Sequence, residues 1–130
     1  MAGIKCSHPD AQHIRQLIDA APQLALYAGN ERIALGSLAL GAQGLISGLT
    51  TAVPEPFVAL ARTFAAGDLA AAQEQQRLIN RLLDLIPAEA RIGALKLILQ
   101  QRGIPVGPAV PPRPTPQDLP LWSKMQACLP

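Results

Sequence analysis

The feature of this 130-residue sequence that most limits its fold is the regular return of short apolar runs bounded by glycine. LALYAG occupies residues 24–29 and GLISG occupies residues 44–48. Short uncharged runs of this kind are typical of strands that are buried on both faces. A shorter run, AGIK, precedes them. Because helical patterns separate the runs, we expect a parallel sheet in which Leu24–Ala28 and Gly44–Ser47 are adjacent strands.

The helical patterns between these runs carry their own start and stop signals. In each of them a capping or proline residue precedes a segment whose apolar residues fall on one face, and two of the three end at glycine. The predicted helices cover residues 9–20, with Ser7 or Asp10 as the cap, residues 30–41, with Asn30 as the cap, and residues 54–67, which end at Gly67.

Beyond residue 67 the pattern changes, because helical segments follow one another with no strand between them. Asp68–Ile86 and Ala88–Arg102 are predicted helices, the first opened by an aspartate cap. A proline-rich tract at residues 105–116 predicts an extended strap over the surface, and Asp118–Leu129 a last short helix. We therefore divide the chain into βα units at residues 1–67 and a C-terminal helical extension with a proline-rich strap at residues 68–130.

Composition excludes several function classes. A net charge of +2 and an aromatic content of 3% leave neither a basic patch nor a stacking platform for nucleic acid. The uncharged segment 34–53 is diluted by glycine and hydroxyl residues, which favours a soluble interpretation over a membrane span. Cys6 and Cys128 match no metal-binding spacing, so we expect free thiols, no metal and a cytoplasmic location.

Six segments carry a family resemblance. In their order and spacing they resemble the C-terminal half of the dihydrodipicolinate synthase and N-acetylneuraminate lyase family, which are class I aldolases built on a (β/α)8 TIM barrel. The resemblance implies an α/β fold formed by about the last three βα units of such a barrel, followed by the helical extension. The segments are GIK at 3–5, YAGNE at 27–31, LALGAQGLISG at 38–48, FAAGDLAAAQ at 64–73, ALKLILQQRGIPVGP at 94–108 and the proline-rich stretch that continues to Pro116.

The resemblance also implies roles for single residues. Lys5 corresponds to the lysine that forms a Schiff base with the keto carbon of pyruvate or a related 2-oxo acid, because an amine can both attack a carbonyl and yield an iminium electron sink. Ile46, through its backbone, and Ser47 correspond to positions that line the 2-oxo acid site. Gly29 and Asn30 correspond to a pair near the second substrate, an aldehyde. No cofactor is implied.

Some of these positions have a second interpretation. Gly29 also fits simple strand-to-helix turn geometry, and for Ser47 a turn and a substrate contact are equally favoured. Cys6 stands where the family has an acidic residue. With His8 it suggests a thiol nucleophile, but without a third orienting group helix capping and packing are favoured. Lys96 matches a family lysine and also fits a snorkelling surface residue.

The length of the resemblance leaves the function open. A whole barrel requires roughly 250 residues, and the family's carboxylate-binding threonine loop and proton-shuttling tyrosine belong to its N-terminal half. Tyr27, the single tyrosine, lies in a different strand. Three classes remain. The first is the C-terminal part of a Schiff-base lyase or synthase, which either works with an N-terminal half-barrel partner or comes from a truncated gene. The second is a catalytically silent oligomerisation or binding module, and the third is an unrelated small α/β protein.

Overall fold

The computed structural model describes residues 1–116 and 119–129. Three strands, β1 (Gly3–Cys6), β2 (Ala25–Ala28) and β3 (Gly44–Leu45), form a parallel sheet in the order β1-β2-β3. Lys5 on β1 lies beside Tyr27 on β2, and Tyr27 lies beside Gly44 on β3. The predicted parallel adjacency of the second and third apolar runs is confirmed.

Two predicted strand bounds were too wide. The Leu24 amide donates to the Ala21 carbonyl, 3.0 Å away, and this turn keeps Leu24 out of β2. At the other end, the Ser47 hydroxyl accepts a hydrogen bond from the Thr50 amide. Ser47 is therefore the N-cap of a helix and not the last residue of a strand, because capping offers its side chain a partner that extended backbone does not.

Helices make up most of the rest of the described chain. A short helix directly after β3 was missing from the sequence prediction, because five residues carry too little periodicity to reveal a helix. The helices are α1 (Ala11–Ala20), α2 (Ala34–Ala39), α3 (Gly48–Ala52), α4 (Glu55–Ala65), α5 (Leu69–Asp84), α6 (Arg91–Gln101) and α7 (Leu121–Gln126), with 3₁₀ turns at Glu31–Ile33 and Ala88–Ala90.

The predicted N-caps are formed by local hydrogen bonds. The Asp10 carboxylate accepts from the Gln12 amide at 2.9 Å, so Asp10 and not Ser7 caps α1. Asn30 caps as predicted, but the segment that it opens is a 3₁₀ turn that leads into α2. Asp68 caps α5. The predicted last helix starts at Asp118, outside the described residues, whereas α7 begins at Leu121.

The helices cover one face of the sheet. Cys6, Leu26 and Ala28 pack on that face against Ile14 of α1 and Ala42. Because side chains alternate along a strand, Lys5 and Tyr27 point to the opposite face. A larger apolar core lies beside this one and joins α3 to α7, including Leu49, Leu60, Ile79, Leu82, Ile98 and Met125.

On the opposite face, which we call the open face, the Tyr27 ring lies across two glycines. A Cβ atom placed on Gly3 would be 3.3 Å from Tyr27 Cε2, and one placed on Gly44 would be 3.3 Å from Tyr27 Cδ1. The glycines on the flanking strands therefore leave room for the ring. Tyr27 is half-buried there, whereas Lys5 is exposed.

The proline-rich strap lies against α6. A Cβ atom on Gly93, which is buried, would approach the backbone of the strap and come within 2.6 Å of Thr115 Cα. Lys96 Nζ donates to the Pro108 carbonyl at 3.0 Å, so Lys96 holds the strap as well as lying near the surface. Gly93 allows this close approach because it has no side chain.

We expect Gly93→Ala to lower the free energy of unfolding by about 1–3 kcal/mol, because the methyl group has to displace backbone rather than a flexible side chain. Urea unfolding of the purified chain measures the effect. Gly36→Ala in α2 is the matched control, since nothing lies within 4 Å of a Cβ at Gly36. That control should be stabilised by up to about 1 kcal/mol, and equal behaviour of the two variants would contradict the packing of the strap.

Candidate active site

Lys5 lies near the C-terminal end of β1, on the open face. Its side chain extends past the end of β2, where Lys5 Cε would be 2.6 Å from a Cβ atom placed on Gly29. Among the residues that the structure describes, no side chain or carbonyl accepts a hydrogen bond from Lys5 Nζ. The amine is therefore carried on an extended stem over the strand ends without a protein partner in this part of the chain.

Gly29 is required by close approach and not by turn geometry alone. Its amide donates to the Cys6 carbonyl at 2.7 Å, which extends the pairing between β1 and β2 by one residue. A side chain here would collide with the Ser7 hydroxyl as well as with Lys5. Any residue other than glycine would thus displace the lysine stem, the Ser7 side chain or both.

Asn30 and Ile46 occupy the loops that follow β2 and β3. The Asn30 side-chain oxygen is used in capping, where it accepts from the Arg32 amide at 3.1 Å. The Ile46 amide donates to the Ala28 carbonyl at 2.9 Å, while the Ile46 side chain is 47% exposed. The Ile46 amide is therefore used within the sheet, whereas its carbonyl oxygen accepts no hydrogen bond from the described residues.

Ser47 is held by a carboxylate from the neighbouring loop. Its hydroxyl donates to Glu31 Oε1 at 2.7 Å, and its oxygen accepts from the Thr50 amide at 3.4 Å. Because the single hydroxyl hydrogen is already donated to Glu31, Ser47 can offer a ligand a lone pair but no hydrogen.

Glu31 is the residue of this region that the sequence did not single out. Its Oε1 atom also accepts from Arg91, 2.7 Å away, and more weakly from the Leu49 amide at 3.5 Å. The Glu31 side chain is 11% exposed. No local pattern marked Glu31 for this role, because its charged partner lies 60 residues further along the chain.

The electrostatics of Glu31 follow from these contacts. Burial disfavours the charged carboxylate and by itself raises the pKa, but the Ser47 hydrogen bond, the backbone amides and the Arg91 charge lower it more. The net result is a pKa below the ordinary glutamate value of 4.5. Glu31 is therefore a carboxylate over the whole neutral range.

Two side chains of α5, Gln76 and Asp84, connect the same loop and the start of α2 to the C-terminal extension. The Gln76 amide group on α5 donates to the Glu31 carbonyl at 2.9 Å and accepts from the Leu35 amide at 2.8 Å. Arg32 pairs with Asp84 at the end of α5, 2.7 Å apart. The loop that carries Gly29 and Asn30 is thus held by side chains of α5 and α6.

The predicted site residues are spread over the ends of three strands. Lys5 meets Gly29 directly, whereas Lys5 and Ser47 follow strands that are separated by β2. With strands about 4.8 Å apart, this order puts their backbones roughly 10 Å apart. A small ligand in this gap would be held between an amine on one side and the Ile46–Ser47 loop on the other.

The remaining candidates have structural roles. Cys6 is buried in the smaller core, and the His8 ring accepts from the Asp10 amide at 3.1 Å, next to the cap of α1. His8 and His13 stack with ring centroids 4.4 Å apart.

Within residues 1–116 and 119–129, no three histidine, cysteine or acidic side chains gather as a metal site would require. No helix in these ranges has the length and apolar content of a membrane span.

Known proteins match this arrangement along most of its length. The family model for the dihydrodipicolinate synthetase family matches residues 1–122. The chain therefore belongs to the dihydrodipicolinate synthetase family. The resemblance carried by the six sequence segments is confirmed.

Individual relatives of known sequence or structure are similar to this chain along most of its length. A 4-hydroxy-tetrahydrodipicolinate synthase from Exiguobacterium is 33% identical over 108 residues, which are 82% of this chain and 37% of that protein. An uncharacterized DapA-like lyase from Halobacterium salinarum is 29% identical over 108 residues, 83% of this chain and 36% of the relative. The crystal structure of a candidate dihydrodipicolinate synthase from Thermus thermophilus superposes with a TM-score of 0.80 and 34% identity, covering 98% of this chain and 44% of that one. The 130 residues thus span well under half of each of these proteins.

The pKa of Glu31 leads to a prediction about acid stability. Because the folded state lowers this pKa, Glu31 stabilises the fold fully above the ordinary glutamate value, and the contribution is lost as the pH falls through the lowered value. At neutral pH, Glu31→Gln should cost about 1–3 kcal/mol through weaker hydrogen bonds to Ser47 and Arg91. The difference from the wild-type chain should shrink in acid.

Urea unfolding at several pH values between about 7 and about 3 measures this difference. Glu89→Gln is the matched control, because Glu89 is exposed and forms no ion pair in the part of the chain that the structure describes. A Glu31→Gln penalty that stays constant over this pH range would show that the carboxylate charge contributes nothing.

Proposed function

We propose that Lys5 is the Schiff-base nucleophile of a lyase or aldol-type synthase that acts on pyruvate or a similar 2-oxo acid. The observation that supports this most directly is the place of Lys5 near the C-terminal end of β1, on the open face, with its stem passing over Gly29. Family membership supports the lyase or synthase class. The resemblance implies the lysine chemistry and a cytoplasmic location.

The chemistry that we assign to Lys5 is a condensation. The neutral amine attacks the keto carbon of the 2-oxo acid, a carbinolamine forms, and the former keto oxygen leaves as water after it has been protonated. The iminium that remains withdraws electrons, so the neighbouring carbon can lose a proton and attack an aldehyde, or the reverse cleavage can take place. No metal or cofactor is needed as an electron sink in this scheme.

We further propose roles for the neighbouring loops. Ser47 and the Ile46 carbonyl line the position of the 2-oxo acid, and Gly29 and Asn30 lie at the position of the aldehyde. The strand order supports this assignment, because the gap of roughly 10 Å between Lys5 and Ser47 matches the size of a three-carbon acid with its contacts. The neutral amine and the ligand both have to be shielded from water for the condensation to proceed.

The described fold supports a partial (β/α)8 barrel in which these are the last three βα units. We propose that the missing units come from a segment or partner outside the 130 residues and dock along the free edges of β1 and β3. In the described ranges β3 has a strand on one edge only. Beside its other edge lies an apolar groove of about 460 Å³. Its lining includes Leu38, Leu45, Phe57, Val58, Ala61 and Phe64.

The second candidate function is an oligomerisation or binding module without catalysis. The same groove and the same free strand edge favour it, because an apolar surface next to unpaired backbone groups associates with other chains. The two functions differ in whether the amine of Lys5 reacts, which a chemical assay can decide.

The free edges lead to a prediction about the isolated chain. We expect the purified 130 residues to self-associate, or to unfold with only a few kcal/mol of stability, because β1 and β3 each leave an edge unpaired among the described residues. Sedimentation velocity over a concentration series measures the association, and urea unfolding measures the stability. A monomer at all concentrations with a cooperative and strongly stabilised transition would contradict the partial barrel.

The proposed nucleophile can be trapped. Incubation with pyruvate and borohydride, followed by mass spectrometry, should add one reduced pyruvate unit to Lys5 only when the missing barrel units are supplied. The supplied chain is the Thermus thermophilus relative's segment that precedes the region matched here. Lys5→Ala should abolish the adduct, while Lys124→Ala, which removes an exposed lysine of α7, should leave it unchanged.

Three outcomes separate the candidate functions. Lys5-dependent adducts and aldol turnover in the complemented sample would support the partial-enzyme proposal. Binding of the added segment without any adduct would favour the silent module. Efficient trapping and turnover by the 130 residues alone would overturn the proposal that further barrel units are required.

A further inference from the structure

The contact between the C-terminal extension and the candidate site runs through one carboxylate oxygen. Arg91 is the first residue of α6, and its guanidinium donates to Glu31 Oε1, which also accepts the Ser47 hydroxyl. The two donor–acceptor distances are both 2.7 Å. A helix outside the βα units is therefore two hydrogen bonds away from a proposed substrate-binding side chain.

We propose that Arg91 is a positioning residue of the site, which acts through Glu31 to fix the direction of the Ser47 hydroxyl. The meaning of this role for catalysis rests on the proposed function, whereas the coupling itself is a property of the fold. The C-terminal extension would then be part of the site's geometry and not only a cover for the apolar core.

The physical argument begins with the freedom of the groups involved. A serine hydroxyl rotates readily, and it settles toward the best acceptor within reach. Glu31 is that acceptor only while its carboxylate stays in the interior, where its side chain is 11% exposed. A charge this deeply placed requires compensation, and in the described chain Arg91 is the single charged side chain bonded to it.

Loss of Arg91 would therefore change the hydrogen bonding of Ser47 indirectly, through Glu31. With the charge partner gone, the Glu31 carboxylate gains more from turning toward water than from accepting one hydroxyl and one weak amide bond. Ser47 would then keep only its capping contact with Thr50, and its hydroxyl hydrogen would be free to turn toward a ligand. A 2-oxo acid accepts hydrogen bonds and donates none, so the freed hydroxyl would become a donor to it, without the fixed direction that Glu31 imposes on Ser47.

Other contacts hold the backbone of the loop after β2 in place, so that only side chains respond to a change at Arg91. Gln76 holds the Glu31 backbone from α5, and Arg32 pairs with Asp84. The backbone of Glu31 is thus fixed independently of Arg91. Removal of Arg91 should consequently change the side chain of Glu31 and its partners without unfolding the loop.

The first test measures the coupling in the 130-residue chain without any catalysis. NMR follows the carboxyl carbon of Glu31 and the amides of Leu49 and Thr50 during a pH titration. In Arg91→Met the midpoint of the Glu31 titration should rise, because a favourable charge is lost, and both amides should shift. Arg91→Lys, which keeps the charge, should lie between Arg91→Met and the wild-type chain, because it cannot reproduce the geometry of the guanidinium.

Arg32→Met is the matched control. It removes another arginine that connects the same loop to the extension, but Arg32 pairs with Asp84 and does not touch the Glu31 carboxylate. The proposal requires the Glu31 midpoint and the two amides to respond to Arg91→Met and not to Arg32→Met. Equal responses to both variants, or no response to either, would overturn it.

The second test uses the complemented sample. Arg91→Met should lower the KM for pyruvate about fivefold, the value expected for one hydrogen bond gained from the freed Ser47 hydroxyl, with a smaller change in kcat. An Arg91→Met variant with unchanged kinetics would overturn the positioning role even if the NMR coupling is present. A complemented wild-type sample that shows no turnover at all would instead count against the proposed function, and the NMR result would still decide the coupling.

Discussion

The structure depends on one constraint, which is that, among the described residues, helices cover a three-stranded parallel sheet on one face only. Side chains alternate between the two faces along a strand. Once one face is covered, each strand residue therefore points either into the core or away from it. Cys6 and Leu26 enter the smaller core, while Lys5 and Tyr27 face away from it. The same parallel arrangement brings the C-terminal ends of all three strands to one edge of the sheet. The loops that carry Gly29, Asn30, Ile46 and Ser47 therefore gather beside Lys5.

The polar contacts around Glu31 show how this edge is held. A carboxylate that is nearly removed from water is tolerable only where hydrogen bonds and an opposite charge replace its hydration. Ser47 comes from the loop after β3 and Arg91 from α6, so one group links elements that lie far apart in sequence. The larger apolar core continues from α3 and α4 into α5 and α6, across residue 67. The helical extension thus shares both packing and polar contacts with the βα units.

Local signals in the sequence were sufficient for much of the fold. Asp10, Asn30 and Asp68 cap the segments that they were predicted to cap, because a cap bonds to an amide two or three residues away and depends on nothing else. The parallel pairing of β2 with β3 followed from apolar runs separated by helical patterns. At Ser47 the apolar run predicted the last residue of a strand, whereas the structure makes Ser47 the cap of α3. The five-residue α3 was too short to be recognised at all.

By itself, then, the sequence determined the order of the strands and of the longer helices, the caps Asn30 and Asp68, and the family, since each depends on short-range chemistry or on motifs read in order. Only the tertiary structure decided which side chains meet. Gly29 makes room for the Lys5 stem, and Gly93 makes room for the strap, yet each glycine alone is equally compatible with an ordinary turn or helix position. Glu31 and Arg91 are 60 residues apart. No local preference links such a pair, because their distance is set by how α6 packs against the sheet and its loops.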